Sequence, residues 1–443
     1  MLETRPRFSV TPSASRLTRS LRDIGYDFAP AVADIIDNSI AAGARRVDVE
    51  IEFDGPDSYV MITDDGAGMT AGQLDEALRF GTRRSYGNGE LGRYGLGLKT
   101  ASLSQCRSLT VVSRTGERSR ARSVRTLDLD LIDEVDDWIV VDPPIDPRIS
   151  RAKAKLLDGP GTVVLWRTLD RVLPERRPEG AWARRRLENL AERTAVHLAM
   201  VFHRYLEGGS TTSVQMTVNG LKVQPWNPFA PGQRATKALA PMTFELAVGD
   251  ASGMVRLERY ILPARDQFSS PAEFERLSGP MNWNRQQGLY IYRADRLVQW
   301  GGWAGIRGID EHTKLARASL DFGTELDEAF NINVAKMRVS LPSQIRQMLE
   351  DPLSELCTRA DDAYRKTARR TGETPRTVIP GQAERPAAQT AVELPPQHAV
   401  LGDIGLALRA AAMQAGEYAA FKKIIAALNE TAPDVAGGLG LTG

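Results

Sequence analysis

The segment that most limits the fold of this chain is a glycine-rich stretch at residues 87–100. Glycine occupies positions 87, 89, 92, 95 and 97, and a helical pattern follows from Leu98. Glycine allows a backbone to approach a ligand closely, and free N–H groups at the start of a helix favour phosphate. The stretch therefore predicts a phosphate-binding loop, although glycine richness alone is also typical of a flexible surface loop.

Two familiar phosphate-binding motifs nearly match this stretch, and both fail. Residues 87–92 fit Gly-x-Gly-x-x-Gly, but residues 83–85 are Arg-Arg-Ser where a dinucleotide-binding fold needs a strand. Residues 92–99 resemble a P-loop, yet Leu98 separates Gly97 from Lys99. The sequence thus argues against both a Rossmann site and a P-loop site.

A predicted helix that precedes the glycine-rich stretch carries two polar side chains on one face. Residues 28–42 have apolar side chains at helical spacing, and Gly43 stands where a helix would end. Asp34 and Asn38 are four positions apart, so they share one helix face. A carboxylate and an amide in this arrangement can hold a water molecule and a divalent cation beside a phosphate. Taken alone, such a pair is more often a solvated polar stripe.

A second candidate site follows a predicted strand. Alternating apolar residues predict strands at residues 47–51 and 60–63, and the second runs directly into Asp64. Gly66 and Gly68 after this carboxylate allow a tight turn and a close backbone approach. Asp64 could accept a hydrogen bond from an exocyclic amine such as that of adenine. A simple turn would produce the same pattern.

The remaining signals describe two folded units and a linker. Strands are predicted at residues 108–113, 124–131, 138–141 and 162–166, followed by a long helix at residues 181–206. Repeated antiparallel signals with helices between them favour an α+β sandwich over a doubly wound sheet. A second unit has strand signals at residues 213–218, 243–247, 254–262 and 288–293, and a helix from Pro342.

Residues 366–397 shift to Pro, Thr, Arg, Glu and Ala, which predicts a disordered linker, and residues 400–429 recover a helical pattern. We therefore divide the chain into an N-terminal arm (1–25), a first domain (26–208), a second domain (209–365), a linker (366–399) and a C-terminal helix with its tail (400–443).

Composition places the chain among cytoplasmic globular proteins. Hydrophobic residues make up 42% of its 443 residues and charged residues 26%, and the formal net charge of +1 does not by itself imply a nucleic-acid or membrane partner. Two cysteines, Cys106 and Cys357, cannot build a disulfide framework or a zinc cluster. The N-terminus lacks the apolar core of a signal peptide, and we expect no membrane-spanning segment.

The order and spacing of these motifs resemble the GHKL ATPases, the superfamily of gyrase, Hsp90, histidine kinases and MutL. The amino-acid sequence of residues 92–99 most resembles that of MORC ATPases and their prokaryotic MutL-like relatives. The resemblance implies a Bergerat-type ATP-binding sandwich, with a mixed, largely antiparallel sheet and helices on one face. It rests on motifs in a shared order: Asp34 and Asn38, Asp64-x-Gly66-x-Gly68, Gly92-x-x-Gly95-x-Gly97, and Thr162 in the strand that opens at Gly161.

The resemblance also implies a role for each matching residue. Asn38 would coordinate Mg²⁺ bridging the phosphates of ATP, and Asp64 would bind the adenine amine, in a pocket shaped by Gly66, Gly68, Met69 and Thr162. The remaining matches would wrap the phosphates as a lid: Gly92, Arg93, Tyr94, Gly95, Leu96, Gly97, Leu98 and Lys99.

Two positions depart from the family pattern. The base that activates water is glutamate in the hydrolysing members, and its position here holds Asp34, whose side chain is one methylene shorter. An aspartate often found three residues after the asparagine is Ala41. We therefore expect a slow ATPase, and an interaction switch that binds ATP without hydrolysing it is the alternative.

The second domain resembles the S5-like transducer that follows the ATP domain in MutL, gyrase and MORC proteins. In that family a transducer loop sends a lysine to the terminal phosphate, and residues 330–339 resemble this loop, which makes Lys336 the candidate. An ordinary surface lysine is the alternative reading.

The resemblance further implies an ATP-dependent homodimer, with residues 1–25 crossing to the partner, that clamps or remodels DNA or protein partners, as in genome defence. A histidine kinase is a third reading. It is disfavoured because the motifs begin near residue 30, with no upstream helix for a phosphorylated histidine.

Overall fold

The computed structural model describes residues 12–23, 26–81, 97–116, 121–173, 178–210, 212–249, 251–332 and 339–371, together with Phe421, Ile425 and Asn429. The chain forms two compact units, Met1–Pro375 and Arg376–Gly443. The three described residues of the second unit are helical. Among the helices described, none is long and apolar enough to cross a membrane.

A mixed, largely antiparallel sheet lies at the centre of the N-terminal half. Its described strands are β1 (Arg46–Glu52), β2 (Tyr59–Asp64), β3 (Ser108–Arg114), β4 (Ser123–Asp128), β5 (Gly161–Arg167), β6 (Gln215–Val218) and β7 (Leu221–Lys222). Their order in space is β4-β3-β5-β2-β1-β6-β7. Neighbouring strands are antiparallel except for β1 and β6, which are parallel. The predicted α+β class is confirmed.

Helices surround this sheet. They are α1 (Ala14–Arg22), α2 (Phe28–Ala41), α3 (Ala71–Leu78), α4 (Gly97–Leu103), α5 (Leu129–Val135), α6 (Pro147–Lys155), α7 (Ala181–Val201) and α8 (His203–Glu207), with a short 3₁₀ helix at Gly55–Asp57. The helix predicted at residues 28–42 is α2, and Gly43 with φ of +75° follows its C-cap, Ala42.

Side chains of the sheet alternate between two buried faces, because successive residues of a strand point to opposite sides. On one face, Val47, Val49 and Ile51 join the large core that includes apolar residues of α2, α4 and α7. On the other, Met61 of β2 packs in a smaller cluster with Ile149 of α6. Burying each such side chain contributes about 1.5–3 kcal/mol. Most helices thus cover one face, as predicted, and α6 lies on the opposite face.

Two of the predicted strands need correction. The strand predicted at residues 124–131 stops at Asp128, whose side chain accepts a hydrogen bond from the Asp130 N–H (3.0 Å) and caps α5. Residues 138–141 form no strand in the described structure, where Val141 makes a single bridge to Thr126. The reason is the Trp138 indole, which donates to the Leu78 carbonyl (2.9 Å) and so holds this segment over the end of α3.

The helix predicted at residues 181–206 is two helices, because Phe202 (φ −109°, ψ 18°) leaves helical geometry between α7 and α8. After α8 the chain returns to the first sheet, where β6 pairs with β1, and Met216 and Val218 enter its core. The boundary placed at residue 208 therefore needs correction, since the first domain continues through β7. A strand of four residues such as β6 buries too few side chains to reveal its sheet in the sequence.

Residues 12–23 of the predicted N-terminal arm are described, and most of them form a helix. The helix α1 packs against α4 and α5 of its own chain. The Ser13 hydroxyl donates to Asp136 (2.7 Å), and the Arg22 guanidinium donates to both carboxylate oxygens of Asp170 (2.6 and 2.7 Å). These contacts join α1 to its own domain, and an arm that reaches a partner stays a prediction. Residues 1–11 lie outside the described part.

A second sheet follows. Its described strands are β8 (Lys237–Ala238), β9 (Met242–Val248), β10 (Ala251–Ile261), β11 (Gly288–Arg293), β12 (Arg296–Gln299) and β13 (Ala316–Phe322). The order in space is β12-β11-β13-β10-β8, with β9 also paired to β10, and β11 and β13 are parallel. The helices of this half are α9 (Pro271–Leu277), α10 (Trp283–Gln286) and α11 (Ser343–Thr371), with 3₁₀ helices at Arg265–Gln267, Glu311–Thr313 and Thr324–Leu326.

The long helix α11 covers this sheet. Its Ile345, Leu349 and Leu353 are buried with Val255 and Leu257 of β10. The helix continues to Thr371 despite Pro352, so the linker does not begin at the predicted residue 366. The likeness of this half to an S5-like transducer stays a prediction.

Candidate functional site

The helix α2 presents two of the predicted site residues. Asp34 is buried, at 2% exposure, and Asn38 one turn later is exposed. Most of α2 is buried, and its apolar residues join the large core of the first sheet. A carboxylate and an open amide therefore stand one turn apart at the side of the domain that α4 also borders.

The Asp34 carboxylate lies against two other elements. The Tyr26 hydroxyl donates to its Oδ2 at 3.3 Å. Gly97, the first residue of α4, approaches so closely that a Cβ at this position would lie 2.5 Å from Asp34 Oδ2. Because Gly97 has no side chain, α4 can begin directly beside Asp34, the candidate base.

The Asp64 carboxylate is held at the end of β2 by three hydrogen bonds. Its Oδ1 accepts from the backbone N–H groups of Gly66 (2.9 Å) and Thr162 (3.2 Å), and its Oδ2 accepts from the Ser39 hydroxyl (2.8 Å). An ionised carboxylate has about four acceptor positions, so one on Oδ2 remains for a ligand. Burial raises the pKa of Asp64 above its usual range, while these three hydrogen bonds favour the charged form.

The turn after Asp64 requires glycine at position 68. Its φ is +69°, and a Cβ there would lie 1.9 Å from the Arg114 carbonyl oxygen at the end of β3. Gly66 contributes its N–H to Asp64, and the next residue, Ala67, donates to the Ala42 carbonyl (2.9 Å). The turn is therefore packed directly between β3 and the end of α2.

A chain of polar groups connects this turn to β5. Thr162 lies opposite Asp64 in the β2–β5 pairing. Its hydroxyl is 2.9 Å from that of Ser113, which in turn accepts from the Met69 N–H (2.7 Å). The predicted adenine-pocket residues Asp64, Gly66, Gly68, Met69 and Thr162 are thus brought together.

Lys99 is buried rather than presented on the surface. It is 0% exposed, and its ammonium donates to the Ala77 carbonyl at the end of α3 (2.8 Å). Burial lowers its pKa to about 8. Leu98 is partly buried and packs against the large core. In this structure Lys99 therefore joins α4 to α3, a role that the lid prediction did not include.

Several predicted site residues lie outside the described residues. They are Gly92, Arg93, Tyr94, Gly95, Leu96 and Lys336. Their roles stay predictions.

Sequence reasoning missed three residues that touch the candidate site. Ser39 follows Asn38 within the matched motif, but only the fold turns its hydroxyl to Asp64. Tyr26 and Ser113 carry no motif signal, because each reaches the site from a separate element.

Comparisons with known proteins identify relatives of part of this chain. A family described as "Histidine kinase-, DNA gyrase B-, and HSP90-like ATPase" matches residues 26–156. The DNA mismatch repair protein MutL of Pseudomonas putida is 36% identical over 112 residues, which cover 24% of this chain and 18% of that protein.

The MutL of Pseudomonas paraeruginosa is 37% identical over 103 residues (22% and 16%), and that of Shewanella loihica is 37% identical over 98 residues (21% and 15%). The chain thus matches less than a fifth of the length of these relatives. Residues 26–156 are thus a region of the GHKL type, in which Asp34 and Asn38 lie on one helix and the buried Asp64 ends a strand.

Proposed function

We propose that this chain binds Mg²⁺-ATP on the first domain and hydrolyses it slowly, with the nucleotide state driving dimerisation. The observation that carries the proposal is the Asp64 carboxylate, held by Ser39, Gly66 and Thr162 with one acceptor position left on Oδ2. Such a preorganised acceptor suits an exocyclic amine and rejects a ligand that lacks one, since a buried acceptor left unpaired is costly.

The side chains on α2 fit a metal-bridged phosphate chain. Among the described residues, no group of three or more His, Cys, Asp or Glu side chains could hold a metal alone. Mg²⁺ commonly takes one or two protein ligands and completes its shell with phosphate oxygens and water. Asn38, exposed on α2 one turn after Asp34, would be such a ligand. When bound, the metal would neutralise phosphate charge.

Asp34 would orient and deprotonate the attacking water. Its carboxylate already accepts from Tyr26, which restrains its orientation and takes one acceptor position away from water. Its side chain is also one methylene shorter than the usual glutamate. Both features favour slow turnover, and a switch that binds ATP without hydrolysis is the second candidate.

The action on partners is proposed from family likeness. The MutL relatives are named as DNA mismatch repair proteins. The amino-acid sequence of residues 92–99 resembles that of MORC ATPases. We infer an ATP-dependent homodimer that clamps or remodels DNA, in which Lys336 reaches the terminal phosphate from the second domain.

The test combines binding and turnover. The wild type should bind a non-hydrolysable ATP analogue with Mg²⁺ and release phosphate from ATP, measured with and without DNA. Asp34→Asn should retain binding and lose turnover by roughly 10²–10⁴-fold, the usual contribution of a general base. Asn38→Ala should weaken Mg²⁺-dependent binding, whereas Asn189→Ala, at an exposed position of α7, should change neither.

The two candidates separate cleanly in this experiment. Analogue binding with no phosphate release, and no effect of Asp34→Asn, would leave the non-hydrolysing switch. Absence of nucleotide binding by the wild type would reject both. An oligomeric state that does not change with the analogue would remove the proposed dimerisation.

A further inference from the structure

The helix that carries Asp34 and Asn38 also carries a buried contact to the second sheet. Asp37, at 0% exposure, accepts a hydrogen bond from Arg296 Nε at 2.8 Å, and the Arg296 side chain is 4% exposed. Arg296 begins β12, so this ion pair joins α2 to the edge of the second sheet. Asp37 directly precedes Asn38, the proposed Mg²⁺ ligand.

A second buried ion pair starts from the same hairpin. Arg293 ends β11, faces Arg296 in the β11–β12 pairing, and donates to both carboxylate oxygens of Asp327 (2.6 and 2.7 Å). The Arg293 and Asp327 side chains are 2% and 7% exposed. Two arginines at the end of one hairpin thus point to two different segments, one to α2 and one to residues 324–330.

The segment that Arg293 holds leads to the loop predicted to carry Lys336. Phe330 packs against Phe322 at the end of β13, with ring centroids 3.9 Å apart. β13 in turn pairs in parallel with β11. Asp327 and Phe330 therefore anchor the start of residues 330–339 to the same hairpin that contacts α2.

The turn of the hairpin is fastened to the first domain as well. The Tyr205 hydroxyl donates to the Ala294 carbonyl (2.6 Å), and Arg204 pairs with Asp295 (3.1 Å). Both turn residues have positive φ, 45° for Ala294 and 66° for Asp295, as a two-residue hairpin turn requires. These contacts with α8 restrain the end of the hairpin, so it has little freedom to move by itself.

We propose that the Arg293/Arg296 hairpin end is a positioning device that couples the nucleotide site to residues 324–330 of the second domain, with Asp37 and Asp327 as its two anchors. Buried charges hold their partners closely, because separating them leaves an uncompensated charge in a medium of low dielectric constant. A displacement of α2 on nucleotide binding therefore carries Arg296, the hairpin and Asp327 with it. The inference rests on the proposed nucleotide site and assigns positioning roles to four residues to which the motifs give none.

The test measures transmission separately from binding. In the wild type, a non-hydrolysable ATP analogue with Mg²⁺ should slow amide hydrogen exchange in residues 324–332. Arg296→Gln should keep analogue affinity within about twofold, lose most of that slowing, and lower kcat roughly threefold to thirtyfold, the range typical of coupling residues. Arg293→Gln should behave in the same way.

Arg167→Gln is the matched control. Arg167 is also buried, donating to Asp146 at 2.9 Å, but this pair lies between β5 and the start of α6 and contacts neither α2 nor the hairpin. It should lower stability and leave the exchange response intact. The double variant Asp37→Asn with Arg296→Gln also breaks the ion pair between α2 and β12. Because it removes both charges, it does so without leaving one of them buried and unpaired.

The outcomes distinguish this inference from the proposed function. If Arg296→Gln and the double variant retain the full exchange response, as Arg167→Gln should, the coupling role is rejected while the nucleotide site stands. If the wild type binds the analogue without any response in residues 324–332, the coupling role is likewise rejected. If the wild type does not bind the analogue, both the site and the coupling fail.

Discussion

The Ser39 hydroxyl donates to Asp64 Oδ2 at 2.8 Å, and this bond joins α2 to the end of β2. The residue before Ser39 is the proposed metal ligand, Asn38, and Asp64 is the proposed adenine acceptor. One hydrogen bond therefore sets the spacing between the two ends of the proposed nucleotide site.

Replacing Ser39 by alanine should weaken nucleotide binding. A hydrogen bond to a charged group is worth about 1.5–3 kcal/mol, and Asp64 keeps its bonds from Gly66 and Thr162, so we expect roughly a tenfold rise in the Kd of an ATP analogue. Titration calorimetry would measure it. Ser58→Ala removes another buried serine, which donates to the Gly55 carbonyl (2.7 Å), and should leave the Kd unchanged. Equal affinities for Ser39→Ala and the wild type would contradict this role.

Gly68→Ala should destabilise the first domain. The positive φ and the 1.9 Å approach to the Arg114 carbonyl oxygen both oppose a side chain, and we expect a loss of about 3–5 kcal/mol in the free energy of unfolding. Gly72→Ala is the control. It lies in α3 with nothing within 4 Å of its Cβ position, and should stabilise by about 0.5–1 kcal/mol. Urea unfolding would compare them, and a Gly68→Ala variant as stable as the wild type would refute the packed turn.

His197 should make stability fall in mild acid. Burial, with the charge of Arg296 as a smaller cause, lowers its pKa from 6.5 to about 3. Between these values the unfolded chain binds a proton that the folded chain does not, so stability decreases as pH falls through this window. The free energy of unfolding should therefore be about 1–2 kcal/mol lower at pH 5 than at pH 7.

His197→Phe tests this linkage, because it keeps an aromatic ring against Trp300, 5.8 Å away in the wild type. The difference in unfolding free energy between wild type and variant should shift by that amount between pH 7 and pH 5. A difference that stays constant over this range would show that His197 titrates normally.

Lys99 should likewise make stability rise with pH, but in the alkaline range. Its pKa is lowered to about 8 by burial, against 10.5 for an ordinary lysine. As pH rises from 8 towards 10.5 the folded chain releases a proton that the unfolded chain keeps, so the energetic cost of burying the charge is relieved. Relative to Lys99→Met, the wild type should gain about 2 kcal/mol in stability between pH 7.5 and pH 9.5. If the free energy of unfolding changed equally with pH in the two proteins, that result would argue against a buried ammonium.

The sequence predicted the elements whose residues repeat with a clear period. The apolar spacing of α2, the alternation of β1 and the apolar run of β2 all follow from burial in the core, and that burial is visible in neighbouring residues. Predictions failed where a single side chain ended an element. Asp128 starts α5 by capping it, and the Trp138 indole holds an apolar segment whose composition is typical of a strand.

By itself the sequence determined the α+β class and the set of motif residues around Asp34, Asn38, Asp64 and Thr162, because local spacing places them on one helix face and at strand ends. Only the tertiary structure decided that Ser39 and Tyr26 contact the two carboxylates, that Lys99 is buried against Ala77, and that Asp37 meets Arg296 across 259 positions of the chain. The physical reason is that burial and pairing of charges depend on which elements pack together, and no local spacing encodes a contact between distant elements.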